Sequence, residues 1–195
     1  LHDLISDLFP DDVQGASRQS RDKREAVARA DLVLCVSQTT RDDAIRLLDL
    51  DPSRLRVTAL AASLPVLPRQ APDKPFVLYV GQRGGYKDFA LALRAFALSK
   101  RLRGDFRLLC FGGGAFSDDE LAMARTAGDV VQINGDDAVL ATCYARASAL
   151  MHTSRYEGFG LPLLEAMAAG CPVVAVPGGA APEVAGDAAS YVAFA

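Results

Sequence analysis

The chain has 195 residues, half of them apolar and 23% charged, which suits a folded globular protein and excludes a disordered or low-complexity one. Its 24 acidic and 21 basic side chains leave a net charge of −3, without the positive excess of a dedicated nucleic-acid binder. No apolar run reaches the ~18 residues of a membrane span. Cys35, Cys110, Cys143 and Cys171 lie far apart with no CxxC pair, so they read as reduced, packed thiols in a reducing cytoplasm. The length is long for one domain and short for two full ones. The opening Leu1-His2-Asp3 lacks methionine, a basic n-region and an apolar h-region, so the chain is read as a fragment without a signal peptide.

In chain order, Arg18, Arg21, Lys23, Arg24, Glu25 and Arg29 around Ala and Val predict a solvated helix over 18–30. Without bulky apolar anchors it differs from a membrane-surface helix. Asp31 to Val36 predicts a strand buried on both faces. Ser37-Gln-Thr-Thr40, with Asp42 and Asp43 behind it, predicts a helix start with acids in the first turn, running to Asp51-Pro52. Arg56 to Leu60 predicts another strand. Pro65, Pro68 and Pro72 mark 63–74 as a linker.

The alternation then becomes regular. Strands are expected at Phe76–Val80, Phe106–Phe111, Val130–Ile133, Ala149–His152 and Pro172–Val176, with a last apolar pair near Tyr191. Helices are expected through Phe89 to Leu98, Ser117 to Thr126, Ala138 to Arg146 and Leu161 to Ala169. Strands separated by helices predict an α/β fold, a Rossmann-like parallel sheet with helices on both faces. The domain plan is the end of one such domain over 1–62, a hinge over 63–74, and a second, truncated domain over 75–195. Ligands of such sheets sit beyond the carboxyl ends of the strands, so chemistry is sought in those loops.

Gly158 and Gly160 permit a tight turn and the close approach of a ligand, and Pro162 suits the first turn of a helix. The amides around Gly160 to Leu163 then face outward at the positive helix end, a ready anion site. Glu157 and Glu165 are expected beside it. Carboxylates there are explained by hydrogen bonds accepted from neutral hydroxyls, as sugars and ribose offer. Arg83 and Lys87, in the glycine loop that begins at Gly81, are a cation pair suited to phosphate, Arg83 by bidentate contact and Lys87 as a point charge. The alternative for both is a solvated loop. Gly112-Gly-Gly114 also follows a strand, and serves either the same cleft or a plain turn into a helix. Glu183 is read first as a cap of the next helix and second as a ligand contact, and His152 as a satisfied core or rim histidine rather than a base. The pairs Asp11-Asp12, Asp42-Asp43, Asp118-Asp119 and Asp136-Asp137 read as acids of helix starts or loops rather than as metal ligands.

The Glu-x7-Glu spacing of Glu157 and Glu165, within Tyr156-Glu-Gly-Phe-Gly-Leu-Pro162 and Glu165-Ala-Met-Ala168, resembles family 4 of the retaining glycosyltransferases. Cys171-Pro-Val-Val174 and Pro182-Glu-Val-Ala-Gly-Asp-Ala188 extend the resemblance. So do Tyr79-Val-Gly-Gln-Arg83 with Tyr86-Lys87, Asp31 to Arg41, and the opening His2-Asp3-Leu-Ile5. The resemblance implies a GT-B fold, two Rossmann-like domains facing across a cleft, of which this chain holds the C-terminal donor-binding part. It implies transfer of a hexosyl group from a GDP- or UDP-sugar to a glycan or lipid-linked acceptor, with retention and with neither metal nor cofactor. By resemblance Glu157 hydrogen-bonds sugar hydroxyls, Glu165 the ribose, Arg83 and Lys87 the diphosphate, and His2 faces the donor sugar. Gly81, Gly113, Gly158, Phe159, Gly160 and Leu161 complete the expected donor site.

Arg83 to Lys87 and Gly112 to Phe116 look most like mannosyl- or rhamnosyltransferases. The chain departs from them in Asp88, where Asn is usual, and in Thr153-Ser, where Pro-Ser is common. The location implied is cytoplasmic, at the inner face of the membrane, with peripheral association through lipid-linked acceptors. The competing readings are a nucleotide-sugar epimerase and a non-catalytic nucleotide-binding module. A chain holding only the end of its first domain is expected to bind nucleotide weakly and to show no transfer alone.

Overall fold

The computed structural model describes residues 1–192. A short helix α1 (Ile5–Leu8), a 3-10 turn (Pro10–Asp12) and α2 (Ala16–Arg29) precede strand β1 (Val33–Cys35). Helix α3 (Gln38–Leu48) then leads to β2 (Leu55–Val57), and β1 and β2 pair in parallel with Val33 opposite Leu55. Helix α3 starts where Ser37 Oγ accepts the Thr40 amide and so satisfies one of the free donors of the first turn. Because the helix begins at Gln38, Asp42 and Asp43 fall beyond its first turn, contrary to the sequence reading. β1 also alternates instead of being buried on both faces. Val33 and Cys35 face a small core with Leu4, Val27, Ala44 and Leu55, whereas Leu34 is 52% exposed. The sheet has two strands here, so only one face of β1 meets a helix layer.

Residues 58–75 carry neither helix nor strand. The segment is nonetheless fastened, because Arg69 donates to the carbonyls of Tyr144 and Ala147 at 2.7 and 2.6 Å.

The remainder is a six-stranded sheet. β3 (Phe76–Val80) is followed by a 3-10 turn (Gly85–Lys87) and helices α4 (Phe89–Leu98) and α5 (Lys100–Asp105). Then come β4 (Arg107–Phe111), α6 (Asp118–Ala127), β5 (Val130–Ile133), α7 (Asp137–Arg146) and β6 (Ala149–His152). α8 (Leu161–Ala168), β7 (Val173–Ala175), α9 (Ala181–Ala185), a 3-10 turn (Gly186–Ala188) and β8 (Ala189–Tyr191) complete it. The order is β5-β4-β3-β6-β7-β8 and every neighbouring pair is parallel. Two cores cover its faces. One gathers Leu78, Leu150, Tyr144, Leu163 and Ala166, and the other Tyr79, Phe89, Leu93, Phe96 and Leu108.

Local sequence sets the helix starts. Ser117 and Glu120 form a capping box on α6, Asp136 accepts the Val139 amide on α7, and Ser99 caps α5. α1, α5 and α9 are helices that hydrophobic periodicity did not announce, each being six residues or shorter. Among the described residues no helix is long and apolar enough to cross a membrane.

Candidate functional site

The strand order reverses between β3 and β6, the place where open parallel sheets form a crevice. The loops leaving these two strands are stitched side by side. The Arg155 amide donates to Tyr86 O at 2.8 Å. Thr153 Oγ1 donates to Lys87 O and Asp88 O at 3.1 and 2.9 Å. The two departures from the mannosyltransferase-like pattern, Asp88 and Thr153, are therefore in contact. Asp88 itself stands at φ +46° and caps α4 by accepting the Leu91 amide.

Across this seam Lys87 Nζ donates to Glu157 Oε1 at 2.7 Å, Glu157 being buried and Lys87 largely so. His152 Nε2 comes to 3.1 Å of the same oxygen, at an angle outside regular hydrogen-bond geometry, so the contact is one of charge and dipole. Burial pushes the Glu157 carboxyl up, but His152 and Lys87 outweigh it and hold the group down at about 2. Glu157 is thus an anion throughout the physiological range. His152 is buried, and its Nε2 is not satisfied, contrary to the sequence reading.

Arg83 is buried within its loop. It is 6% exposed, not a solvated loop residue. Its guanidinium donates to Gly112 O at 2.7 Å, Gly114 O at 3.0 Å, Ala115 O at 2.8 Å and Glu120 Oε1 at 2.9 Å. It also lies 4.8 Å from the Phe116 ring centroid. A bidentate grip on a ligand would require it to give up these partners. Gly113 shows why this loop is glycine-rich: at φ +75° it packs so closely on Arg83 that a Cβ there would overlap the guanidinium. Gly81 begins the neighbouring loop, its amide bonded to Phe111 O at 3.0 Å.

α8 begins at Gly160 in the left-handed region, φ +96°, with Pro162 in the first turn and no side-chain cap. Leu161 lies exposed at this helix start and Phe159 is buried just before it. The positive end of the helix is thus left without a side-chain partner, although the Leu163 amide is bonded to Gly160 O at 3.0 Å. Glu165 does not share the surroundings of Glu157. Its Oε2 accepts from Tyr144 Oη at 3.0 Å, and the residue borders Leu64 and Pro65 of the linking segment. Burial raises the Glu165 carboxyl, the Tyr144 hydroxyl works against this, and Asp137 adds to it.

The first unit docks on the same loop. Its cleft with the 81–88 loop has a volume of about 480 Å³ and is lined by Asp3, Ser6, Gln14, Gln82, Tyr86 and Lys87 among others. A Cβ on Gly158 would overlap the His2 carbonyl, so the backbone of His2 reaches the motif while its side chain stays exposed. Arg155 pairs with Asp12 at 2.6 Å, and Tyr156 Oη donates to the buried Asp43. Sequence reading missed Asp43 and Tyr156 as partners, since a contact between residues 113 apart leaves no local signal. Among the described residues no three His, Cys, Asp or Glu side chains gather to hold a metal ion.

Residues 68–194 match the family described as glycosyl transferases group 1. The chain is 33% identical to the O-antigen chain mannosyltransferase B of Escherichia coli, over 84% of this chain and 48% of that protein. It is 29% identical to the N-acetylgalactosamine-N,N'-diacetylbacillosaminyl-diphospho-undecaprenol 4-alpha-N-acetylgalactosaminyltransferase of Campylobacter jejuni, over 75% and 41%. The chain thus spans about half the length, or less, of these relatives. Among solved structures it superposes on TarM with a TM-score of 0.74 at 17% identity, covering 90% of this chain and 36% of that one. The lipopolysaccharide outer core galactosyltransferase WaaB superposes with a TM-score of 0.63 at 25% identity, covering 82% and 46%. These likenesses agree with the α/β parallel sheet and place the fold among GT-B glycosyltransferases. With its Glu-x7-Glu loop set at the reversal of strand order and its family match over most of the chain, this protein belongs to the glycosyl transferases group 1.

Proposed function

We propose that the chain is the donor-binding part of a transferase that moves a hexosyl group from a nucleotide-diphospho-sugar to a glycan or lipid-linked acceptor. The observation that carries this reading is the buried, ionised Glu157, held by Lys87 and His152 beside the uncapped start of α8. A carboxyl held at about 2 neither gives nor takes a proton near neutral pH. What it does well is accept hydrogen bonds from sugar hydroxyls and stabilise positive charge on the sugar ring.

The leaving group fits the rest of the site. As the bond from the anomeric carbon to the diphosphate oxygen breaks, its electron pair stays on the diphosphate. Lys87 and the α8 amides are preorganised to receive that charge. Arg83 acts from behind, shaping the 112–115 loop against which the donor lies. Glu165, half-buried and oriented by Tyr144, takes the ribose hydroxyls. The acceptor hydroxyl attacks from the face the diphosphate leaves, and its proton passes to the departing oxygen. Configuration is thereby retained with neither a protein nucleophile nor a metal. GDP- and UDP-sugars are the donor classes, and the resemblance to mannosyltransferases favours GDP-mannose.

Calorimetric titration of UDP, GDP, UDP-glucose and GDP-mannose into wild type, Glu157→Gln, Lys87→Ala and Glu165→Ala tests this. One nucleotide series should bind, Lys87→Ala should weaken all of its members, and Glu157→Gln should weaken only the sugar conjugate. Absence of binding, or insensitivity to all three substitutions, overturns the assignment.

A further inference from the structure

The start of α3 and the Glu157 loop exchange hydrogen bonds reciprocally across the boundary between the two sheets. Ser37 Oγ and Thr40 Oγ1 both donate to the Gly158 carbonyl, at 2.6 and 3.0 Å, and both residues are fully buried. In the other direction, Glu183 of α9 accepts from the amides of Gln38 and Thr39 at 2.6 and 2.9 Å, and from Thr39 Oγ1 at 2.9 Å. Those amides are among the first-turn donors that the helix itself cannot satisfy, and they stand at its positive end. Glu183 thus caps not the helix next to it in sequence, as expected, but α3, 144 residues away. α9 in turn packs behind the motif: the Ala180 amide donates to Glu157 O at 2.8 Å, and Gly179 abuts the Glu157 backbone so closely that no side chain fits there.

Glu157 is therefore gripped on both sides of its own backbone by elements that the first unit holds together. We propose that Ser37, Thr40 and Glu183 are positioning residues: they set the Glu157 carboxylate in its sugar-contacting place only when the first unit is docked. The role rests on the proposed sugar contact of Glu157. Geometry supplies the reason. The Gly158 carbonyl lies one residue beyond Glu157, it points at the start of α3, and two hydroxyls fix it. If α3 withdraws, that carbonyl loses both partners and the peptide unit joining Gly158 to Phe159, next to Glu157, is free to rotate. The turn that carries Lys87 is held by Thr153 independently of α3. Docking of the first unit should therefore sharpen recognition of the sugar and leave recognition of the nucleotide diphosphate unchanged.

Two measurements on the whole chain test this. The first is amide hydrogen exchange in wild type, Glu183→Gln and the double variant Ser37→Ala with Thr40→Val. Residues 156–160 should exchange about tenfold faster in the double variant, and 38–40 faster in Glu183→Gln, with β3 and β4 unchanged. Unchanged exchange at 156–160 overturns the proposal, and it does so whatever the chain binds. The second is the ratio of affinity for the nucleotide-sugar to affinity for the bare nucleotide diphosphate. The ratio should fall about tenfold in the double variant while affinity for the bare nucleotide is kept. Equal loss of both affinities, in step with a lowered Tm, shows a merely structural role and overturns the proposal. The Glu157→Gln control separates the two readings. If it leaves the ratio unaltered, the sugar contact itself fails; if it lowers the ratio and the double variant does not, only the positioning role fails.

Discussion

Lys87 and Glu157, 70 residues apart in the chain, form an ion pair of 2.7 Å that joins the loops leaving β3 and β6. Glu157 is buried and Lys87 largely so, and the pair is costly to bury and costlier to break on one side only. In the proposed function each member has a task beyond holding the other.

The pair makes stability depend on pH in a defined direction. The Glu157 carboxyl is held at about 2 against an ordinary value of 4.5, so its contribution is fully present above 4.5. That contribution is lost as the pH falls from about 4.5 toward 2. Urea unfolding at pH 7, 4 and 3 should show this decline in wild type and a flatter profile in Glu157→Gln. The variant should also be less stable at pH 7 by about 3 kcal/mol, because Lys87 keeps its charge without a partner.

Arg83→Ala should destabilise the fold by about 3 kcal/mol, since it leaves the carbonyls of Gly112, Gly114 and Ala115 and the Glu120 carboxylate without their donor. A double-mutant cycle with Glu120→Gln should show coupling of about 1 kcal/mol or more. Additive losses would show that the buried guanidinium does not depend on Glu120.

Thr153→Val keeps the shape of the side chain and removes its donor to Lys87 O and Asp88 O. The expected cost in thermal unfolding is about 1 kcal/mol. Freed from Thr153, the turn should also hold Lys87 less well, so affinity for the nucleotide diphosphate should fall several-fold. Thr153→Ser should restore both.

Tyr144→Phe removes the hydrogen bond that lowers the Glu165 carboxyl, leaving burial and Asp137 to raise it further. NMR titration of the Glu165 side chain should record the upward shift. Nucleotide affinity at neutral pH should fall by less than it does in Glu165→Ala. A downward shift would show that the hydroxyl does not stabilise the ionised form.

Gly113→Ala tests the glycine loop. The backbone stands at φ +75° and the added methyl would overlap the Arg83 guanidinium. The variant should lose about 1–3 kcal/mol, consistent with left-handed strain plus displacement of Arg83.

The sequence by itself determined the strands of the sheet and its longer helices. Apolar runs such as Phe76–Val80 and Ala149–His152, capping residues such as Ser117 and Asp136, and glycines after the strands are local signals, and the structure honours them. The motif phrase around Glu157 and Gly160 likewise announced the turn into α8, because turn glycines and a first-turn proline act within a few residues. Only the tertiary structure decided how the marked residues are used. It turned Arg83 from a loop cation into a buried strut, parted Glu165 from Glu157, brought Asp43 to Tyr156 and sent Glu183 to cap α3. The reason is physical: hydrogen bonds and ion pairs between residues far apart in sequence depend on how separate elements pack, and no periodicity or spacing records that packing.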